Sequence, residues 1–145
     1  MIVIATKDEL VLANKYKNED EEILITGVGG LNVIESLQHL DRNTPIFNIG
    51  YVGSNSLEKG KIVYINKCSL YHPNVEYEEN IYELNDGDTY CYTSNDFVLE
   101  TKVEEPVVFD MELAYILALG FKNVISLKVV SDNLSYDEYE VSIME

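Results

Sequence analysis

The chain has 145 residues, 46% of them hydrophobic, and a formal net charge of -16. That length fits one domain able to bury roughly 70% of the surface its unfolded chain exposes; the apolar content excludes a disordered chain, and no apolar run reaches the ~18–20 residues of a membrane-spanning helix. The acidity excludes a nucleic-acid partner, because a phosphate backbone is bound by Lys and Arg and Arg42 is the only arginine, and it leaves solubility as the plain reading of the charge.

In chain order, Met1–Ala5 reads as a buried first strand. It lacks the basic start and small-residue cleavage site of a signal peptide, so a cytoplasmic protein is expected. Asp8–Ala13 suits a short helix, and the polar Lys15–Glu22 a loop. Ile23–Thr26 is a second short apolar run, followed by Gly27-Val28-Gly29-Gly30. Apolar residues at 31, 33, 34, 37 and 40 follow the helical period and predict a helix over Leu31–Leu40, stopped by Asn43-Thr44-Pro45. Ile46–Ile49 is a strand ended by Gly50, and Lys61–Cys68 a strand with one face to water. Glu76–Asp88 is acidic and turn-rich. Thr89–Tyr92 and Val107–Phe109 are short strands, and Met111–Leu119 is an apolar helix stopped by Gly120. Val124–Val130 is a central strand bounded by Ser131-Asp132-Asn133, and Tyr136–Ile143 a last short helix. No repeat or linker divides residues 1–145, so one domain is expected. Strands alternating with helices predict an α/β fold with a mixed central sheet, its ligand crevice beyond the carboxyl ends of the strands.

Cys68 and Cys91 match no metal or redox spacing and are expected as buried free thiols. His39 and His72 have no companion ligands, so neither a metal nor a cofactor is expected.

Five segments carry polar or ring groups at strand ends. Thr26–Gly30 lets backbone approach a ligand at a helix start, or is simply a tight turn. Ile49-Gly50-Tyr51-Val52-Gly53 carries the same two readings. Phe109-Asp110-Met111-Glu112 places two carboxylates at a strand-to-helix junction, where they either complement the helix dipole or accept hydrogen bonds from a vicinal diol. Val129–Asn133 puts an acid at the end of a central strand, as a turn cap or a general acid. Thr93–Val98 presents Phe97 among polar residues, either as a core ring or to stack on a flat base.

These segments, in this order, resemble the methylthioadenosine/S-adenosylhomocysteine nucleosidases and their phosphorylase relatives. Ile46–Lys61, with Asn48–Gly53 and Leu57-Glu58-Lys59-Gly60-Lys61, is similar to that family's strand and glycine loop leading to "GD-I-V". Tyr71-His72-Pro73-Asn74-Val75 resembles "YHD-D-V", Ser94–Val98 the "SGD-F" base-binding loop, Phe109–Glu112 the "V-E-M-E" ribose motif, and Ser131-Asp132 the "I-S-D" motif. The resemblance implies a three-layer nucleoside phosphorylase-like domain, contracted between Glu9 and Ile23 and over Tyr77–Thr89, where a family helix is missing, and without the family's long terminal helix. It implies a small-molecule purine nucleoside as ligand and N-glycosidic hydrolysis as activity. Asp132 would protonate the leaving purine, with Ser131 holding it. Glu9 would activate water. Glu112 would accept from the ribose hydroxyls, Met111 would lie on the sugar, Phe97 would stack on the base, and the Val98 backbone would read its edge. Gly29, Gly50 and Tyr51 would complete the binding surface. Two departures bear on chemistry. Tyr51 stands where a small hydroxyl residue is usual and would narrow the pocket or close it, which favours the alternative of a non-catalytic nucleoside-binding or structural relative. Phosphorylases bind phosphate with arginines, whereas Arg42 sits at a helix end and Asn48 stands at one arginine's place, so hydrolysis is favoured over phosphorolysis. The missing cover and the apolar helix Met111–Leu119 imply a homodimer or larger homo-oligomer.

Overall fold

The computed structural model describes residues 1–73 and 80–144. Its hub is strand β3 (Ile46–Ser54). On one edge it pairs in parallel with β1 (Ile2–Ile4), which carries β2 (Ile23–Ile25) outside it. On the other edge it runs in parallel with β8 (Val124–Asp132), register Ile46↔Val124 to Val52↔Val130. Its last residues pair antiparallel with β7 (Val107–Asp110). Strand β8 pairs antiparallel with β4 (Ile62–Leu70), β4 in parallel with β6 (Thr89–Thr93), and β6 in parallel with β7. Strands β3, β8, β4, β6 and β7 thus close a ring, and β5 (Tyr82–Glu83) is appended to β4.

Helices cover both faces, giving three layers and the expected mixed sheet. On one face Leu12 and Ala13 of α1 (Leu10–Tyr16) meet Ile2, Ile4, Ile49 and Leu127. Helix α4 (Tyr136–Met144) lies beside it, over Tyr51 and Val129. On the other face Val33 and Leu37 of α2 (Gly30–Leu37) and Ile116 of α3 (Leu113–Ala118) meet Val3 and Ile46. Leu113 and Ala114 of α3 join Val52, Cys68, Cys91, Val108 and Val130 of the ring strands. Cys68 and Cys91 are buried free thiols, as the sequence predicts.

Several boundaries differ from expectation for local reasons. The first helix, entered by a single 3-10 turn at Lys7–Glu9, reaches Tyr16, because that ring meets Phe47 edge-on at 6.1 Å. Helix α2 stops at Leu37, and Leu40, whose N–H donates to the Leu37 carbonyl, packs against the same core from the turn beyond it. Helix α3 starts at Leu113 rather than Met111, because Asp110 accepts the N–H groups of Glu112 (3.3 Å) and Leu113 (2.7 Å) and fixes the first turn there. Its residues Leu113, Ala114 and Ile116 are buried within the chain, whereas Tyr115 and Leu117 are half-buried. The largest correction concerns Gly50 and Gly53. Both lie inside β3 rather than in a loop after it. A Cβ at Gly50 would meet a Glu9 carboxylate oxygen at 2.6 Å, and one at Gly53 an Asp132 oxygen at 2.9 Å. A strand glycine often marks such a close approach. Strand β8 likewise runs on through Ser131 and Asp132. Of the residues expected to lack a family helix, 80–89 carry β5 and a turn; Asn74, Val75 and 77–79 lie outside the described residues.

Leu113 is fully buried between the ring strands and the rest of α3, so Leu113→Ala should lower stability by about 2–5 kcal/mol. Leu99→Ala, at a side chain 63% exposed, should stay within about 0.5 kcal/mol. Urea unfolding of both variants measures the contrast.

Candidate active site

The carboxyl ends of β1, β3, β7 and β8 meet at one end of the sheet, and four acids converge there. Glu9 arrives on the 3-10 turn after β1. One carboxylate oxygen accepts the N–H groups of Ala5 (2.8 Å) and Thr6 (3.3 Å), and the other accepts that of Tyr51 (2.8 Å). Burial pushes its pKa up, opposed by Lys128 and by those N–H donors. Glu112, at the head of α3, accepts the N–H of Gly29 at 2.8 Å, which ties the glycine loop to the strand-helix junction across 83 residues of chain. Gly29 has φ +90, a left-handed conformation that favours glycine. Burial, followed by the charge of Asp110, raises Glu112 to about 8.

Asp110 and Lys128 lie beneath these two. Lys128 is 1% exposed, and its Nζ stands 3.4 Å from Asp110 Oδ2. Burial works against its charge, but Asp110, Cys91, Glu9 and Glu112 outweigh burial and raise it. Asp110 also accepts the Thr93 hydroxyl at 2.5 Å and the Cys91 thiol at 3.4 Å. Burial, reinforced by Cys68 and Asp110, pushes the Cys91 thiol well up, so it stays protonated as the donor.

Asp132 ends β8 and is 1% exposed. It accepts the Ser131 hydroxyl at 2.8 Å and the Ser135 N–H at 3.2 Å. Burial raises it, against those bonds. Ser131 is thus placed to hold Asp132, and Ser142 of α4 donates to the Ser131 carbonyl at 2.6 Å.

These groups border a cavity of about 320 Å³, within the ~300–1,000 Å³ range of small-molecule sites. Glu9, Tyr51, Phe97, Met111, Glu112, Ser131 and Asp132 all line it, so the structure brings together seven of the residues singled out in the sequence. Tyr51 forms a wall of the cavity and leaves it open. Val98 borders a small adjoining recess with Phe97, Met111 and Asp132. Gly29 acts through its N–H on Glu112, and Gly50 lies behind Glu9. A separate cavity of about 360 Å³ at the opposite end of the sheet, beside Met1, Pro45 and Lys122, gathers no comparable set.

No family model and no curated protein matches the sequence. Solved structures do match its fold. An S-adenosylhomocysteine nucleosidase from Streptococcus pyogenes, solved with 5-methylthiotubericidin, superposes with TM-score 0.77 at 15% identity, over 99% of this chain and 88% of that one. A 5′-methylthioadenosine/S-adenosylhomocysteine nucleosidase from S. pneumoniae, solved with a transition-state inhibitor, gives 0.73 at 14% identity, over 99% and 90%. A futalosine hydrolase mutant of Helicobacter pylori gives 0.73 at 12%, over 99% and 89%. The chain has the nucleosidase fold.

Within that fold, sequence reasoning missed Lys128, Asp110 as a partner in its own right, and the pair Tyr136 and Tyr139. Each left a signal. Lys128 is the only charge in the otherwise neutral strand Val124–Ser131, and a lysine at the centre of a buried strand needs an acid partner. Tyr136 and Tyr139 fall three residues apart on α4, hence on one helix face. Both line the cavity and meet Phe97 edge-on at 5.4 and 5.8 Å. Burial and the charges of Glu9 and Asp8 raise Tyr139 to about 12.

Gly50→Ala tests how the acids are seated. Its Cβ would overlap the Glu9 carboxylate at 2.6 Å, with Lys128 Nζ in ordinary contact at 3.5 Å. Displacing the carboxylate should cost about 1–3 kcal/mol in urea unfolding. Hydrogen exchange at the Tyr51 amide should accelerate selectively as its bond to Glu9 is lost.

Proposed function

We propose that this protein hydrolyses the N-glycosidic bond of a purine nucleoside, with an adenine nucleoside or thionucleoside as substrate. The observation that carries the reading is the convergence of Asp132, Glu112 and Glu9 with Phe97 and Met111 on one cavity of nucleoside size. The nucleosidase fold supports it.

In this reading the purine lies against Phe97 and the Val98 backbone, within reach of Asp132. Asp132 is buried, its pKa is raised, and Ser131 orients it. It gives its proton to a ring nitrogen as the glycosidic bond breaks and the base leaves with the bonding electrons. Met111 lies on the sugar and Glu112 bonds the ribose hydroxyls. Glu9, held by three backbone N–H groups, takes a proton from the water that adds to the sugar carbon. The products are the free base and the free sugar, and no cofactor takes part.

Water is favoured over phosphate as the attacking group. Among the described residues that line the cavity there is no Lys or Arg. Arg42 is committed elsewhere: its guanidinium donates to the carbonyls of Leu119, Gln38 and Leu40 and lies over Phe121. Asn48 is also committed, to the Val3 carbonyl and the Ser126 hydroxyl.

The working form is a homodimer or larger in a cytoplasmic setting. The exposed side chains of Ile62, Tyr64 and Ile125 on neighbouring strands of the sheet support self-association. Among the described residues no helix is long and apolar enough to cross a membrane. Sedimentation at micromolar concentration tests the assembly, and a monomer alone would remove it.

Base release from methylthioadenosine, adenosine and inosine, with and without phosphate, tests the reaction. Turnover of an adenine nucleoside without phosphate is expected. Asp132→Asn keeps shape and hydrogen bonding but has no proton to give, so turnover should fall roughly 10²–10⁴-fold with the fold intact. Equal turnover removes Asp132 as the acid. Absence of both turnover and nucleoside binding in the wild type would leave a structural relative.

A further inference from the structure

Glu9, Asp110 and Glu112 surround one buried cation, Lys128. With every group charged, the cluster would hold more negative than positive charge away from water. Buried groups relieve such an excess by binding a proton.

The hydrogen bonds identify which carboxylate takes it. Asp110 accepts from the Cys91 thiol, the Thr93 hydroxyl, the N–H groups of Glu112 and Leu113, and Lys128. Glu9 accepts from the N–H groups of Ala5, Thr6 and Tyr51, which occupy both its oxygens. A proton added to either acid would turn an accepting oxygen toward a donor. Glu112 accepts on Oε2 alone, from Gly29. Among the described residues no donor faces its Oε1, and the side chain borders the cavity.

We propose that Glu112 carries the cluster's proton in the free protein at neutral pH, and that Lys128 is the positioning residue that fixes this arrangement and leaves Glu9 ionised. Lys128 does so through its ion pair with Asp110 and through its charge acting on Glu9. Cys91 on β6, Asp110 on β7, Glu112 before α3 and Glu9 before α1 are the titratable groups around it. The rise of Glu112 to about 8 accords with the geometry. The consequence for the ligand rests on the nucleoside reading: Glu112 meets the sugar as a carboxylic acid that donates one hydrogen bond and accepts another. A ribose hydroxyl pair answers both.

Carboxyl-carbon NMR of the full chain, labelled at glutamate and titrated from about pH 4 to about pH 10, tests the assignment. One glutamate should titrate near pH 8, vanish in Glu112→Gln and persist in Glu9→Gln. Lys128→Met should move it up by about one unit or more, and Lys128→Arg should return it toward the wild-type value. If Lys128→Met does not fold, the wild type, Glu112→Gln and Lys128→Arg still decide. Titration of all glutamates below about pH 6, or loss of the high titration in Glu9→Gln alone, overturns the proposal.

Stability gives a second reading. The unfolded chain releases the Glu112 proton near 4.5, whereas the folded protein keeps it to about 8. The folded state therefore binds more protons between those values, so wild-type stability should fall as pH rises through that window and level off above it. Glu112→Gln should lack that fall.

The ligand consequence has its own sign. Wild-type affinity for adenosine should drop as pH rises through about 8, approaching tenfold per unit, and Glu112→Gln should be flat there. Affinity that rises through the same range overturns the donor role. If no nucleoside binds at any pH but the titration near pH 8 remains, the functional reading fails and the proton assignment stands.

Discussion

The buried ion pair between Lys128 and Asp110 is the contact on which the rest of this end of the molecule depends. The two residues belong to β8 and β7, the strands on either side of β3. The lysine reaches across β3 at its own register partner, Gly50, and a side chain there would stand 3.5 Å from Nζ. Both partners are almost fully buried, so each alone would be an uncompensated charge in a dry interior. Breaking a buried pair typically costs about 3–5 kcal/mol, whereas replacing it whole with apolar groups is often neutral. Stability alone therefore gives no reason to keep it. Its position does, because Glu9 and Glu112 of the cavity are grouped around it.

From that pair the geometry spreads outward. Asp110 accepts the first N–H groups of α3, which fixes where the helix begins and hence where Glu112 stands. Glu112 takes the Gly29 N–H and draws in the glycine loop that opens α2. On the far side, the gap at Gly50 lets the Glu9 carboxylate reach the Tyr51 N–H beside Lys128. One glycine thus leaves room for the Glu9 carboxylate beside Lys128, and the glycine loop that holds Glu112 also sets Val28 on the cavity wall.

The sequence exposed the periodic parts of the fold well. Apolar runs marked β1, β3 and β8, and the helical spacing of Val33 and Leu37 marked α2, because burial on one face imposes those patterns directly. Boundaries failed where a tertiary contact overrode a local signal. Gly50 reads as a strand end, yet β3 passes through it because a carboxylate fills the missing side chain's place. The helix near Met111 reads as one apolar run, yet Leu113 and Ala114 alone are buried against the ring strands, a closure no local pattern reports. At the site, residues in short ordered motifs, such as Glu112 and Asp132, were legible. Lys128 was not singled out, because its meaning lies in the acids that three distant segments bring to it.

The two outer acids of the cavity differ for the same physical reason that the inner pair exists: each carboxylate's state follows the donors supplied to it. Glu9 has N–H groups on both oxygens and the charge of Lys128 acting on it, which favour the ionised form against the burial that raises it. Asp132 accepts a hydroxyl and the N–H groups of Ser135 and Leu134, has no cation among its influences, and is raised by burial as Glu9 is. Both line one cavity in which Lys128 lies below the surface and already faces Asp110. A phosphate dianion entering there would meet carboxylates with no free cation to offset them, whereas water would meet Glu9 as a hydrogen-bond acceptor. In the proposed reaction, the same arrangement of charge supports a neutral nucleophile.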